Sequence, residues 1–312
     1  MTLKRSRGAT IAAVLLGLLA GCQSLSPTHS LPIHQPGDTA TRPTDSAVII
    51  YVPEGTFSMG GTPEMTRYAR RLCRDAAGDL AIAVCGSAAF ADESPQHAVG
   101  LSAFWIDRTE VTNRQYAQCV DAGACAPPVE TGSFSRPGYY DDPAFDDYPV
   151  VQVDWGMASV YCAWANARLP TEAEWEFAAR GPENRLFPWG DTFDPARLNY
   201  CDKSCAGMSD PSFDDGFPDT APVGSFPQGA SWVGALDMAG NVREWVADWY
   251  GPYAAKAGID PIGPVSGESR IPRGGSWYDT PDDVRSLNRG ANLPDYTHPK
   301  VGFRCAVDSL AP

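Results

Sequence analysis

Three groups of residues have types and spacings that chemistry could use. The first is "RGGSWYDTPDDV", Arg273 to Val284. It combines two permissive glycines, a serine and a threonine, two aromatics and three aspartates, the composition of a groove rim. The second is a set of loops rich in Asp and Asn: "LNYCDKSC", "FDDGFPD" and "LDMAGNVREW". Calcium takes six to eight oxygen ligands from carboxylates, amides and backbone carbonyls on bent loops, and these segments supply such groups. The same residue types also simply form turns. The third group is the nine cysteines. Cys73 with Cys85, Cys119 with Cys125 and Cys201 with Cys205 are close pairs that could each staple a small loop, leaving Cys162 and Cys305 far apart. Zinc is the competing reading for Cys201 and Cys205, but no second pair of ligands follows them. A nucleophilic cysteine would need a base, and neither His97 nor His298 is placed beside one by sequence.

The first residues bear on the cysteines. Lys4, Arg5 and Arg7 precede the short apolar run "ATIAAVLLGLLA", which reads as an export signal, residues 1–21. The run is short for a membrane-spanning helix. It ends in "LAGC", which resembles the lipobox of bacterial lipoproteins, with Cys22 as the acylated first mature residue. Gln23, rather than Asp, resembles outer-membrane sorting in Gram-negative bacteria. The expected location is the periplasmic face of the outer membrane, lipid-anchored. Export favours disulfides for the eight remaining cysteines. Residues 22–46 have many Pro, Ser and Thr and read as a flexible tether. His29 and His34 are then solvated linker residues.

The 312 residues include 43% hydrophobic and 20% charged residues, a globular mixture. A net charge of −14 repels nucleic acid and anionic lipid surfaces, so no nucleic-acid partner is expected. With 30 Gly, 28 Pro and nine Trp, the composition predicts a loop-rich fold pinned by aromatics. The elements that must position the candidate residues begin at Ala47. "AVIIYVPEGTFSMGG", "HAVGLSAFWIDRTEVT" and "PVVQVDW" read as strands. Thr112 with Gln115 and Thr171 with Glu174 are capping boxes that open helices. In "GMASVYCAWANAR", Met157, Val160, Tyr161 and Trp164 form an apolar helical stripe. Glu172, Glu174 and Glu176 suit the positive end of their helix, and Trp175 should face the core. Residues 182–312 read as loops and short strands. The fold class is α+β, one irregular domain over 47–312.

The ordered segments "GTFSMGG", "EVTNRQY", "PVVQVDW", "RLPTEAEWEFAARG", "FPWGD", "DGFPDTAPVGSFP", "DMAGNVREWVADWY", "RGGSW" and "VGFRC" resemble the formylglycine-generating enzyme, or sulfatase-modifying factor, family. The resemblance runs from residue 47 almost to the end, with 66–94 as an insertion that Cys73–Cys85 would close. It implies a loop-rich variant of the C-type lectin fold and a Cys162–Cys305 disulfide. It implies two structural calcium sites. One would use Asn199, Asp215 and the carbonyls of Tyr200 and Phe217, and the other Asp237, Glu244 and the carbonyls of Gly240 and Val242.

In members that make formylglycine, two cysteines of the segment matching "RGGSWYDTPDDV" bind Cu(I), which suits soft thiolates. Those positions hold Asp279 and Val284 here, so no Cu(I) site is expected. Iron would want two His and a carboxylate, and His97, His298 and Asp279 are the one set to hand. Sulfoxide synthases of the family carry an iron-binding helical domain that this chain lacks. Two functions follow. One is a calcium-stabilised lipoprotein that binds a periplasmic peptide, glycan or protein in a groove of Ser276, Trp277, Tyr278, Asp279 and Arg289. The other is an oxidoreductase that uses a different metal or chemistry in that groove on a periplasmic protein or small molecule.

Overall fold

The computed structural model describes Thr2 and residues 34–80, 84–205, 210–253 and 258–308. Cys22 and the expected signal segment, apart from Thr2, lie outside them. The folded unit starts at His34. This corrects the expected tether, whose residues 34–46 are part of the domain. Strand β1 (Thr39–Thr41) pairs antiparallel with β2 (Val48–Val52). Buried Arg42 closes on Asp45 at 2.6 Å and on Asp107 at 2.6 Å, and Tyr161 donates to Asp45 at 2.7 Å. This segment is fixed by charge pairing and not by large apolar side chains, so its composition reads as linker.

The strands form three small sheets. The first has the order β1-β2-β5-β10, with β5 at Phe104–Asp107 and β10 at Ala306–Val307. The second joins β3 (Gly55–Met59), β4 (His97–Leu101) and the short β7 (Gly258–Ile259). The third places β6 (Arg243–Trp249) between β8 (Arg270–Arg273) and β9 (Val301–Phe303). Much of the remaining described chain is loop, and the fold is α+β. "PVVQVDW" is not a strand. Val150, Val151 and Val153 are buried, but Gln152 sits at φ 59°, which breaks the extended backbone.

Helix α1 (Pro63–Ala77) forms the first part of the predicted insertion and is clipped to residue 85 by the Cys73–Cys85 disulfide. Both expected capping boxes form, at the starts of α2 (Asn113–Asp121) and α4 (Glu172–Arg180). Helix α3 (Trp155–Trp164) buries Ala158, Tyr161 and Cys162, whereas Val160, expected on the apolar stripe, is 49% exposed. Small Ala158 and Cys162 make the contact because the neighbouring aromatics Tyr116 and Phe303 already fill the space. The Cys162–Cys305 disulfide lies in this cluster and ties α3 to the last strands across 143 residues. Cys119–Cys125 and Cys201–Cys205 also form. In the central core, α4 inserts Trp175 and Phe177 against Ile50, Phe57 and Phe104.

Candidate functional site

The loop after β8 is shaped by two glycines at positive φ, Gly274 and Gly275. A Cβ on Gly275 would lie 2.8 Å from the Cα of Val284, so only glycine lets residues 279–284 fold back here. Val284 is thereby buried among Leu186, Phe187 and Leu287. Asp279 is also buried. Its Oδ2 accepts from Ser276 Oγ at 2.6 Å and from Arg243 Nε at 2.8 Å, and Lys300 Nζ lies 3.9 Å from Oδ1. Burial alone would raise the pKa of Asp279, but the charges of Arg243 and Lys300 and the Ser276 hydroxyl hold it below the ordinary aspartate value. Asp279 is therefore a neutralised anchor and not a free charge facing a ligand, which corrects the expected groove.

Trp277 is likewise interior, 2% exposed, with its indole N–H on the Pro299 carbonyl. Phe134, 56% exposed, packs over it at 5.2 Å and over Tyr278 at 6.2 Å. Lys300 sits over the Tyr278 ring at 5.5 Å. The accessible rim is Phe134, Tyr278 and Lys300. Nothing in the sequence marked Phe134, which lies more than 140 residues before Tyr278. A polar cavity of about 310 Å³ adjoins this rim, lined by Arg243, Asp283, Asn292, Tyr296 and Lys300 among others.

Arg289 is not on that rim as a free cation. Its guanidinium forks onto Glu172 at 2.6 and 2.9 Å and reaches the Asp92 carbonyl at 3.0 Å. Glu176, one turn along α4, bonds Arg273 at 2.5 Å and Arg180 at 2.6 Å. The glutamates of α4 thus hold three buried arginines, a role their position at a helix start did not reveal. His97 lies tilted against Tyr253 and His298 stacks on Tyr296, and among the described residues the two histidines do not form a metal-holding group with Asp279.

The Asp- and Asn-rich loops meet beside the Gly274–Gly275 turn. Asn241 donates its N–H to Asn199 O at 2.8 Å, and the Gly240 N–H donates to Gly274 O at 3.0 Å. Asn199 Oδ1 and Asp215 Oδ2 are both buried without a hydrogen-bond partner. Buried acceptors in native proteins are nearly always satisfied, so these two orphans are the donor atoms a hard cation would occupy. Burial, with Asp202 and Asp214 nearby, pushes Asp215 up to about 7. The second set differs from expectation. Both oxygens of Glu244 are engaged by Arg304, at 2.6 and 2.7 Å, and by the Trp175 indole at 2.8 Å. Asp237 Oδ2 accepts from the Gly224 N–H at 2.6 Å. The unpartnered oxygen here is Glu110 Oε2, a residue the sequence reading did not single out. Burial first, then Asp237 and Glu244, raise the Glu110 pKa well above its ordinary value. Among the described residues no cluster of three His, Cys, Asp or Glu side chains is arranged to hold a metal, so amide and backbone oxygens would have to contribute.

Residues 35–309 match the sulfatase-modifying factor enzyme 1-like domain. The chain belongs to this family. Its similarity extends to the formylglycine-generating enzyme of Bos taurus, 30% identical over 93% of this chain and 83% of the relative. It is 41% identical to the inactive C-alpha-formylglycine-generating enzyme 2 of Mus musculus, over 53% of this chain and 51% of the relative. Among solved structures it is similar to PvdO from Pseudomonas aeruginosa, with a TM-score of 0.65, 26% identity, and coverage of 88% of this chain and 99% of that one. The α+β, loop-rich fold of this sulfatase-modifying factor domain is the one the motif order implied.

Proposed function

We propose that this sulfatase-modifying factor domain is a calcium-stabilised binding module of an exported lipoprotein and does not make formylglycine. The observation that carries the reading is the state of the two positions where copper-binding members have thiolates. Asp279 is clamped by Arg243 and Ser276, and Val284 is packed in an apolar cluster. All eight cysteines within the described residues are in disulfides, so none supplies a thiolate. The similarity to a mouse relative named inactive is consistent with this reading. The binding surface would be the Phe134, Tyr278 and Lys300 rim and the polar cavity beside it. Exposed aromatics next to a cation suit a periplasmic peptide, glycan or protein.

Calcium would be held by Asn199 and Asp215 with nearby carbonyls, and a second ion by Asp237 with Glu110 and backbone oxygens. The ions would satisfy buried acceptors in loops that lack sheet or helix hydrogen bonds. Metal analysis of the purified mature protein is expected to find calcium without stoichiometric copper or iron. At a hundredfold excess over its dissociation constant, one calcium site would add about 2.7 kcal/mol of stability. EGTA should therefore lower the melting temperature, and an unmoved transition in metal-free protein would remove the calcium assignment. Anchoring at Cys22 predicts palmitate incorporation in the wild type that Cys22→Ser abolishes; equal labelling of both would refute it.

A further inference from the structure

A second cavity, of about 460 Å³, lies on the side of α4 that faces the end of β6 and shares Arg289 with the polar cavity beside the Tyr278 rim. Its walls include the apolar Met59, Tyr253, Ile262 and Pro264, and its polar groups are Glu172, Asp248, Arg289 and His97. The volume is that of a small-molecule site, and a mostly apolar lining with few polar groups is the usual composition of one.

The polar groups are not equivalent. Glu172 is closed by the Arg289 fork, and Arg289 Nη1 also donates to the Asp92 carbonyl. One face of Tyr253 is covered by Arg289 at 4.0 Å, and its hydroxyl lies 3.3 Å from Glu172. His97 Nδ1 faces the Pro95 carbonyl at 3.1 Å. Asp248 is different. It is 5% exposed, and its Oδ2 accepts the Glu172 N–H at 2.8 Å. No hydrogen bond reaches its Oδ1 among the described residues.

The chain keeps that oxygen open. Gly263, at φ 67°, passes directly over it, and a Cβ there would lie 2.7 Å from Asp248 Oδ1. That backbone angle favours glycine, and the loop above the oxygen therefore carries no side chain that would meet it. Around Asp248 the other charges are Glu172, Glu174, Arg289 and Arg270, and the Arg289 charge is already matched by Glu172. Asp248 Oδ1 is a carboxylate oxygen of this wall that receives no hydrogen bond among the described residues, and the whole chain carries a net charge of −14.

We propose that this cavity is a second ligand site, in addition to the Tyr278 rim, that takes a small primary amine on an apolar body. The ammonium meets Asp248 Oδ1, and the body lies against Met59, Tyr253, Ile262 and Pro264. A charge-assisted hydrogen bond in an apolar pocket is strong and leaves the other two ammonium protons toward the cavity mouth. A neutral alcohol of the same shape would gain the apolar contacts without the charge.

The test is calorimetric titration of the mature protein at pH 8 with 2-phenylethylamine and, separately, 2-phenylethanol. The amine should bind wild type, and Asp248→Asn should weaken it at least tenfold while leaving the alcohol unchanged. Asparagine keeps an acceptor for the Glu172 N–H, so helix α4 retains its contact. Gly263→Ala, with a methyl over Oδ1, should lower amine affinity as well, and it serves if Asp248→Asn does not fold. Failure of the amine to bind wild type, or equal amine affinity in wild type and a folded variant, would overturn the proposal. Neither result would bear on the Tyr278 rim or on copper chemistry.

Discussion

Replacing Cys162 and Cys305 together by alanine is expected to lower the stability of the domain by about 5 kcal/mol, because the bridge closes a loop of 143 residues. A cross-link acts mainly on the unfolded chain, and the entropy it removes grows with the logarithm of the loop. The same relation gives about 2 kcal/mol for Cys201–Cys205, whose sequence separation is 4. The long bridge is also fully buried, between Tyr161 and Phe303, so its loss leaves unfilled space that adds to the cost. Urea unfolding of the two double-alanine variants, followed by tryptophan fluorescence, separates the cases. Equal losses from the long and short bridges would contradict the loop-closure account.

Glu176→Gln should cost about 3–5 kcal/mol, the range for removing one partner of a buried ion pair. The substitution preserves shape, so the loss reports charge. It leaves Arg180 and Arg273, both fully buried, facing a neutral amide. The pH dependence gives an independent check. Burial alone would raise the pKa of Glu176, but Arg180 and Arg273 outweigh it and the carboxyl sits below its ordinary value. A depressed folded-state pKa contributes stability that is present above the unfolded value and lost as pH falls through the folded one. The wild type should therefore lose more stability than Glu176→Gln as the pH drops below the ordinary glutamate range. Parallel stability curves for the two proteins over that acid range would rule this out.

These two effects differ in how far they could be read from the sequence. Capping boxes at Thr112 and Thr171 were legible because donor and acceptor are three residues apart. The "VIIYV" strand was legible from its β-branched run. "PVVQVDW" misled because its valines are buried on all sides in a bent loop, and an apolar run alone does not separate that from a strand. The ion pairs of α4 join residues about a hundred apart, Glu176 with Arg273 and Glu172 with Arg289, and no local pattern announces them. The start of the domain was missed for a related reason. Arg42 and Asp45 look like linker residues until Asp107 closes the pair from 65 residues away. Tyr278 stood in a legible motif, but its exposed neighbour Phe134 comes from a distant loop. The orphaned oxygens of Asn199 and Asp215 fell on residues the family resemblance named, whereas Glu110 did not.

On the function proposed above, the domain keeps the family frame without copper-dependent oxidation of cysteine. The most direct measurement incubates the purified mature protein with Cu(I), oxygen and a peptide bearing the Cys-x-Pro-x-Arg motif on which formylglycine-generating enzymes act. The peptide mass is then followed by mass spectrometry. With Asp279 held by Arg243 and Val284 in the core, the peptide should remain unchanged relative to a control without protein. Loss of about 18 Da from the peptide, the conversion of thiol to aldehyde, at a rate above that control would contradict the account and require a copper site built from other residues.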